Sequence, residues 1–171
     1  MMSAILSDTL LFKSPTCTEK DIQAVKELAV ISGIENYEAF GMDMLIAGTS
    51  LSDKTPEEIL TMDQKEFSMN GIKLVISQVN TVDVKGVLNQ QPSLEKAMAE
   101  TNTKNDYHLS VLVITDIVKA GSMLLVVGDS TLVERGFRTT LTNNTAWVDG
   151  VVSRKKQVVP FLMAASQGVW F

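Results

Sequence analysis

Residues 109–115 and 123–127 constrain the fold most tightly. Both runs are almost wholly apolar and rich in branched side chains. Each is too short for a buried helix and lacks the polar alternation of a half-exposed strand. Runs of this kind are strands covered on both faces. A sheet buried on both sides needs helices to cover it, and the flanking sequence offers several. Thr18 with Asp21 three residues on is a helix start, followed by Ile22, Val25 and Ala29 at helical spacing and Gly33 as the stop. A second helix is expected over residues 37–47, ended by Gly48, and residues 49–54 read as a small polar linker. Thr55-Pro56-Glu57-Glu58 combines a capping hydroxyl, a first-turn proline and a glutamate at the third position.

Beyond that helix the apolar period changes from helical to two. Phe67 and Met69 alternate with polar residues, Asn70-Gly71 follows, and Ile72, Leu74 and Ile76 alternate again. Asn-Gly between alternating runs predicts a tight hairpin, because both central turn positions need positive φ. Asp83 is expected to cap a short helix, Ser93 to start another through Leu94, Ala97 and Met98, and Ser130 to cap one reaching Phe137. Residues 146–152 read as a further strand and 158–166 as a closing helix despite Pro160. The expected class is α/β, a mixed sheet flanked by helices and preceded by a helical piece.

Composition narrows the function classes. The 171 residues carry 15 Lys+Arg against 20 Asp+Glu, a net charge of −5. Such a field opposes nucleic acid unless a local basic patch overcomes it. Cys17 is the single cysteine, so no internal disulfide forms. No apolar run approaches the roughly 20 residues that span a bilayer. The first six residues have no basic stretch ahead of an apolar one, so no secretory signal is read there and the expected location is cytoplasmic.

The candidate chemistry is sparse. Ser153-Arg154-Lys155-Lys156-Gln157 stands between an apolar strand and a helix, where side-chain cations and helix N-terminal donors together suit an anion. On composition alone a solvated basic surface turn is the favoured reading. Asp8 follows an apolar run, a common place for a hard-cation ligand and a commoner one for a helix cap. Lys65 alone reads as a surface lysine. His108 is the only histidine and has no second histidine to share a metal, so it reads as structural. Asp116, at a strand end where α/β sheets place ligands, reads first as a turn aspartate. Met42, Met44, Trp147 and Trp170 read as packing residues. No dinucleotide, P-loop, zincin or nucleophile-elbow pattern occurs.

Longer words in the sequence say more. Ala4-Ile5-Leu6-Ser7-Asp8-Thr9-Leu10-Leu11-Phe12-Lys13-Ser14-Pro15-Thr16-Cys17-Thr18 resembles a segment of the family II, manganese-dependent inorganic pyrophosphatases. So do Met62-Asp63-Gln64-Lys65-Glu66-Phe67, Gln78-Val79-Asn80-Thr81-Val82-Asp83, Leu112-Val113-Ile114-Thr115-Asp116 and Asn143-Asn144-Thr145-Ala146. Gly150-Val151-Val152-Ser153-Arg154-Lys155-Lys156-Gln157-Val158-Val159-Pro160 is the most specific, and all six occur in the family's order.

The resemblance implies a member of the DHH phosphoesterase superfamily: two domains joined by a flexible linker, with pyrophosphate hydrolysed in the cleft between them. The N-terminal DHH domain holds a dinuclear Mn2+ centre, with Mg2+ or Co2+ as alternative ions, and the C-terminal domain grips the substrate. On this mapping residues 1–48 are the tail of the metal-binding domain, 49–54 the linker and 55–171 the substrate domain. Asp8 matches a metal ligand; Lys65, Arg154 and Lys155 match the substrate clamp. The resemblance also implies dimers of the whole enzyme, formed through the metal-binding domain. The other metal ligands, the DHH motif included, are expected upstream of Met1, so the chain alone is expected to turn over little or no pyrophosphate. Two alternatives are a stand-alone phosphate- or pyrophosphate-binding module and a related exopolyphosphatase.

Overall fold

A computed structural model describes residues 1–168; Trp170 lies outside them. The chain divides into two compact units, the first Met1–Ser50 and the second from Leu51 onward.

The first unit is three helices: α1 Met2–Asp8, α2 Glu19–Ser32 and α3 Tyr37–Gly48. Thr18 caps α2 as the sequence predicts. Its hydroxyl accepts from the Asp21 N–H, the Asp21 carboxylate accepts from the Thr18 N–H at 2.8 Å, and Gly33 closes the helix at φ 68°. Asn36 caps α3 through the Ala39 N–H. Met2, Leu6, Val25 and Ala29 form a small core, with Leu28, Tyr37 and Met44 packed on it.

The second unit is a five-stranded sheet between two helical layers. Its strands are β1 Gln64–Met69, β2 Ile72–Thr81, β3 Leu109–Asp116, β4 Gly121–Gly128 and β5 Thr145–Asp149, in that spatial order. Only β2 and β3 run parallel, and α5 Val84–Leu88 and α6 Gln91–Asn105 make the crossover between them. All eight residues of β3 are buried, as an apolar run without alternation requires. Leu74, Ile76, Val111, Val113, Leu124 and Val126 face one core, closed by α7 Thr131–Phe137 and α8 Val159–Ser166. Val79, Leu112, Ile114 and Leu125 face a second, closed by α6 and by α4 Pro56–Thr61. The β1–β2 hairpin turns at Asn70 (φ 50°) and Gly71 (φ 84°), the two positive values the tight turn demands.

Four expectations need correction. Helix α6 starts at Gln91 rather than Ser93, with Pro92 in its first turn. Ser130 makes no side-chain cap; Asp129 Oδ1 accepts the Thr131 N–H at 3.0 Å instead. Strand β5 ends at Asp149, because the left-handed Gly150 (φ 69°) turns the chain out of the sheet. Arg154–Val158 is a π-helical turn running directly into α8, so the basic residues are themselves helical. Trp147 packs as expected, its ring over Gly121 and under the Lys119 ammonium.

Candidate anion site

The site is built at the Gly150–Gln157 bend, where two glutamines replace ladder bonds. Gln157 Oε1 accepts from the N–H groups of Val152 (2.9 Å) and Ser153 (3.0 Å), and its Nε2 donates to the Gly150 carbonyl. Gln78 reaches over from β2: Nε2 donates to Thr115 Oγ1 (2.9 Å) and to the Val152 carbonyl (3.1 Å), while Oε1 accepts from the Arg154 N–H (3.0 Å). Beneath it, the buried Ser122 hydroxyl donates to the Val151 carbonyl at 2.6 Å and lies 3.0 Å from Thr115 Oγ1. Buried backbone polar groups need partners, and here Gln78 of β2, Ser122 of β4 and Gln157 of the bend itself supply them. The bend is thereby fixed to the middle of the sheet, and Ser153 Oγ caps the turn by accepting from the Lys156 N–H.

Arg154 is the best-held cation. Its side chain is only 12% exposed and pairs with Asp63, 52% exposed, at 2.8 Å from Nη2 to Oδ1. Nη1 donates to the Asp63 carbonyl at 2.6 Å and to the Ile76 carbonyl at 3.3 Å. Ile76 is the register partner of Lys65 across β1 and β2. Lys65 alternates in step with Phe67 and Met69, the β1 residues that pack toward α8. The Arg154 guanidinium thus rests against the strand pair that carries Lys65, although 89 positions of sequence separate the two residues. Lys155 follows in the π-turn and is exposed, as is Lys65.

Asn80 lies two residues beyond Gln78 on the same face of β2 and opposite Thr115. Its Oδ1 is buried without a hydrogen-bond partner among the described residues, an exception in folded proteins. Asp63, Gln78, Asn80 and Gln157 escaped the sequence reading as individual site residues. The only signal was their presence in the family-like segments.

The remaining candidates lie elsewhere. Asp8 is the exposed last residue of α1, not an N-cap, and a carboxylate there opposes the helix dipole. The next residues Leu10, Leu11 and Phe12 are all left-handed, at φ 48°, 52° and 66°, a run costly for non-glycine residues and typical of functional segments. His108 is structural: its Nδ1 accepts from the Lys73 N–H at 3.2 Å. Asp116 is a turn aspartate whose Oδ1 accepts from the Lys119 N–H. Among the described residues no group of three or more His, Cys, Asp or Glu side chains could hold a metal ion. Asp8 could contribute one carboxylate, and the residues present do not by themselves make a manganese centre. No helix among the described residues is long and apolar enough to cross a membrane.

Comparison with known proteins decides the family. The DHHA2 domain profile matches residues 42–165. This chain belongs to the DHHA2 domain family. The DHHA2 chain is 55% identical over 170 residues to the Shouchella clausii "Probable manganese-dependent inorganic pyrophosphatase", covering 99% of this chain and 54% of that protein. It is 50% identical over 166 residues to the manganese-dependent inorganic pyrophosphatase of Bacillus subtilis, covering 96% of this chain and 53% of that protein. A crystal structure from Methanococcus jannaschii, assigned to the family II inorganic pyrophosphatases, superposes with a TM-score of 0.85 at 46% identity over 98% of this chain and 54% of that one. The DHHA2 chain thus spans about half the length of the curated relatives it matches, corresponding to their C-terminal part.

Proposed function

We propose that this chain is the substrate-gripping part of a manganese-dependent inorganic pyrophosphatase. Lys65, Arg154 and Lys155 hold pyrophosphate, and Asp8 is one carboxylate of a dinuclear metal centre completed by residues outside this chain. The observation that carries the reading is the placement of Arg154: a guanidinium tied by its backbone to Gln78 and by its side chain to the Lys65-bearing strand pair. Pyrophosphate is compact and highly anionic, so gripping it calls for a planar fork and mobile ammonium groups close together. When bound, paired Mn2+ ions supply a nucleophilic water at neutral pH. The chain's own cations neutralise the phosphate oxygens.

The domain assignment follows from the same reading. Residues 1–48 are the tail of the metal-binding domain, 49–54 the linker and 55–171 the substrate domain. Support comes from the first unit, where Val30 and Ile31 are 83% and 81% exposed, apolar surface suited to burial against further chain. The proposed ions are Mn2+ with Mg2+ or Co2+ as substitutes, the proposed assembly a dimer of the whole enzyme, and the proposed location the cytoplasm.

Calorimetric titration of the purified chain with pyrophosphate tests the grip. Saturable binding is expected, weakened about tenfold or more in each of Arg154→Ala and Lys65→Ala; equal binding in all three removes the clamp. A phosphate-release assay with excess Mn2+ is expected to give little turnover by this chain, and rapid turnover contradicts the split of metal ligands.

A further inference from the structure

We infer that Asp63 is a positioning residue for the anion site: it fixes the Arg154 guanidinium so that one edge of the fork stays open for phosphate. The inference rests on the pyrophosphate-binding reading above and adds a residue to it.

A guanidinium has five N–H donors, two on each Nη and one on Nε. Three are spent within the chain: Nη1 on the carbonyls of Asp63 and Ile76, and Nη2 on Asp63 Oδ1. Asp63 therefore takes the end edge of the fork, one proton from each Nη. The two donors left over are Nε–H and the second proton of Nη2. These point the same way along the side edge, the arrangement that receives two oxygens of one phosphate.

The same geometry argues against Asp63 as a competitor. A competing carboxylate would hold the side edge, where the anion must bind. Asp63 instead holds the adjacent end edge, where its carboxylate accepts from Nη2 beside the Asp63 and Ile76 carbonyls on Nη1. Without its carboxylate the group is restrained by carbonyls alone and can rotate about Cδ–Nε. Gln78 does the complementary task on the main chain, accepting from the Arg154 N–H at 3.0 Å. Backbone and side chain are thus fixed by separate residues, and among the side chains that bond Arg154 Asp63 is the one on the fork, beside the main-chain carbonyls of Asp63 and Ile76.

The test is pyrophosphate affinity of the whole chain by calorimetry in wild type, Asp63→Ala, Asp63→Asn, Asp63→Glu and Arg154→Ala, with folding checked by circular dichroism. Asp63→Ala is expected to weaken binding about tenfold, equivalent to about 1.4 kcal/mol. Asp63→Asn keeps a neutral acceptor at Oδ1 and is expected to stay within about threefold of wild type. This rescue separates orientation from a general effect of charge. Asp63→Glu displaces the carboxylate by one methylene and is expected to weaken binding, which keeps the question decidable if Asp63→Ala does not fold. Wild-type affinity in both Asp63→Ala and Asp63→Glu overturns the positioning role, and tighter binding in either makes Asp63 a competitor. Wild-type affinity in Arg154→Ala, or no pyrophosphate binding by wild type, overturns the anion-site reading itself. A weak Arg154→Ala beside an unchanged Asp63→Ala removes only the present inference.

Discussion

Replacing Gln78 with alanine should loosen the whole basic bend. The side chain makes three bonds: to the Arg154 N–H at 3.0 Å, the Val152 carbonyl at 3.1 Å and Thr115 Oγ1 at 2.9 Å. The Thr115 hydroxyl keeps the nearby Ser122 hydroxyl at 3.0 Å and loses little. The Arg154 N–H and the carbonyl of buried Val152 lose these partners. A buried polar group left unsatisfied costs about 1–3 kcal/mol, so two at the lower half of that range give about 3 kcal/mol. For a unit of this size that lowers Tm by about 10 °C. Urea unfolding followed by circular dichroism measures the stability, and the same protein should bind pyrophosphate more weakly because the Arg154 backbone is released. A loss under about 1 kcal/mol would mean that Gln157 and Ser122 alone hold the bend and that Gln78 does not.

Three further predictions concern the sheet and its helices. Gly128→Ala should cost about 2 kcal/mol or more, because Gly128 has φ 110° and an added Cβ would collide with the His108 carbonyl oxygen; thermal unfolding reads it, and a wild-type Tm contradicts it. Burial and the Glu66 carboxylate, which accepts the Tyr107 hydroxyl, push the Tyr107 phenol up to about 12. The neutral phenol is favoured in the folded state, so this contribution is complete below about pH 10 and is lost as pH rises toward 12; Glu66→Gln should bring the tyrosinate absorbance transition down, and an unchanged transition contradicts the Glu66 contribution. The Thr131 hydroxyl and N–H hold the Asp129 carboxyl below its usual value, so its cap is present above about pH 4 and is lost as pH falls through the depressed folded value. Asp129→Ala should therefore cost about 1 kcal/mol at pH 7 and progressively less at low pH; an equal deficit at both removes the charge from the cap.

The sequence exposes what is local. Thr18 with Asp21 and Thr55 with Glu58 form reciprocal caps three residues apart, and the structure contains both. Asn70-Gly71 gives the hairpin and its register, since positive φ at both positions leaves few alternatives. What escaped was set by distant partners. A serine and an aspartate adjoin the start of α7, and only the folded geometry makes Asp129 the cap. Residues 151 and 152 are β-branched and read as strand, yet Ser122 and the two glutamines satisfy their backbone instead of a sheet neighbour. The site follows the same pattern. Arg154 stood out by charge, but Asp63 lies 91 residues from it and Gln78 lies 76 away, separations at which no periodicity or spacing rule operates. Lys155 stood in the same basic run as Arg154, whereas Lys65 entered through family likeness, and charge alone would have left it as a surface lysine.

On the proposed function, the side edge of the Arg154 guanidinium receives pyrophosphate. The most direct measurement is the Nε–H resonance of Arg154 in arginine-labelled protein, assigned by its loss in Arg154→Lys and followed through a pyrophosphate titration. The expected result is a saturable shift of that resonance with the affinity found by calorimetry, and slowed exchange of its proton with water. An Arg154 signal that stays in place while pyrophosphate saturates the protein would contradict the account.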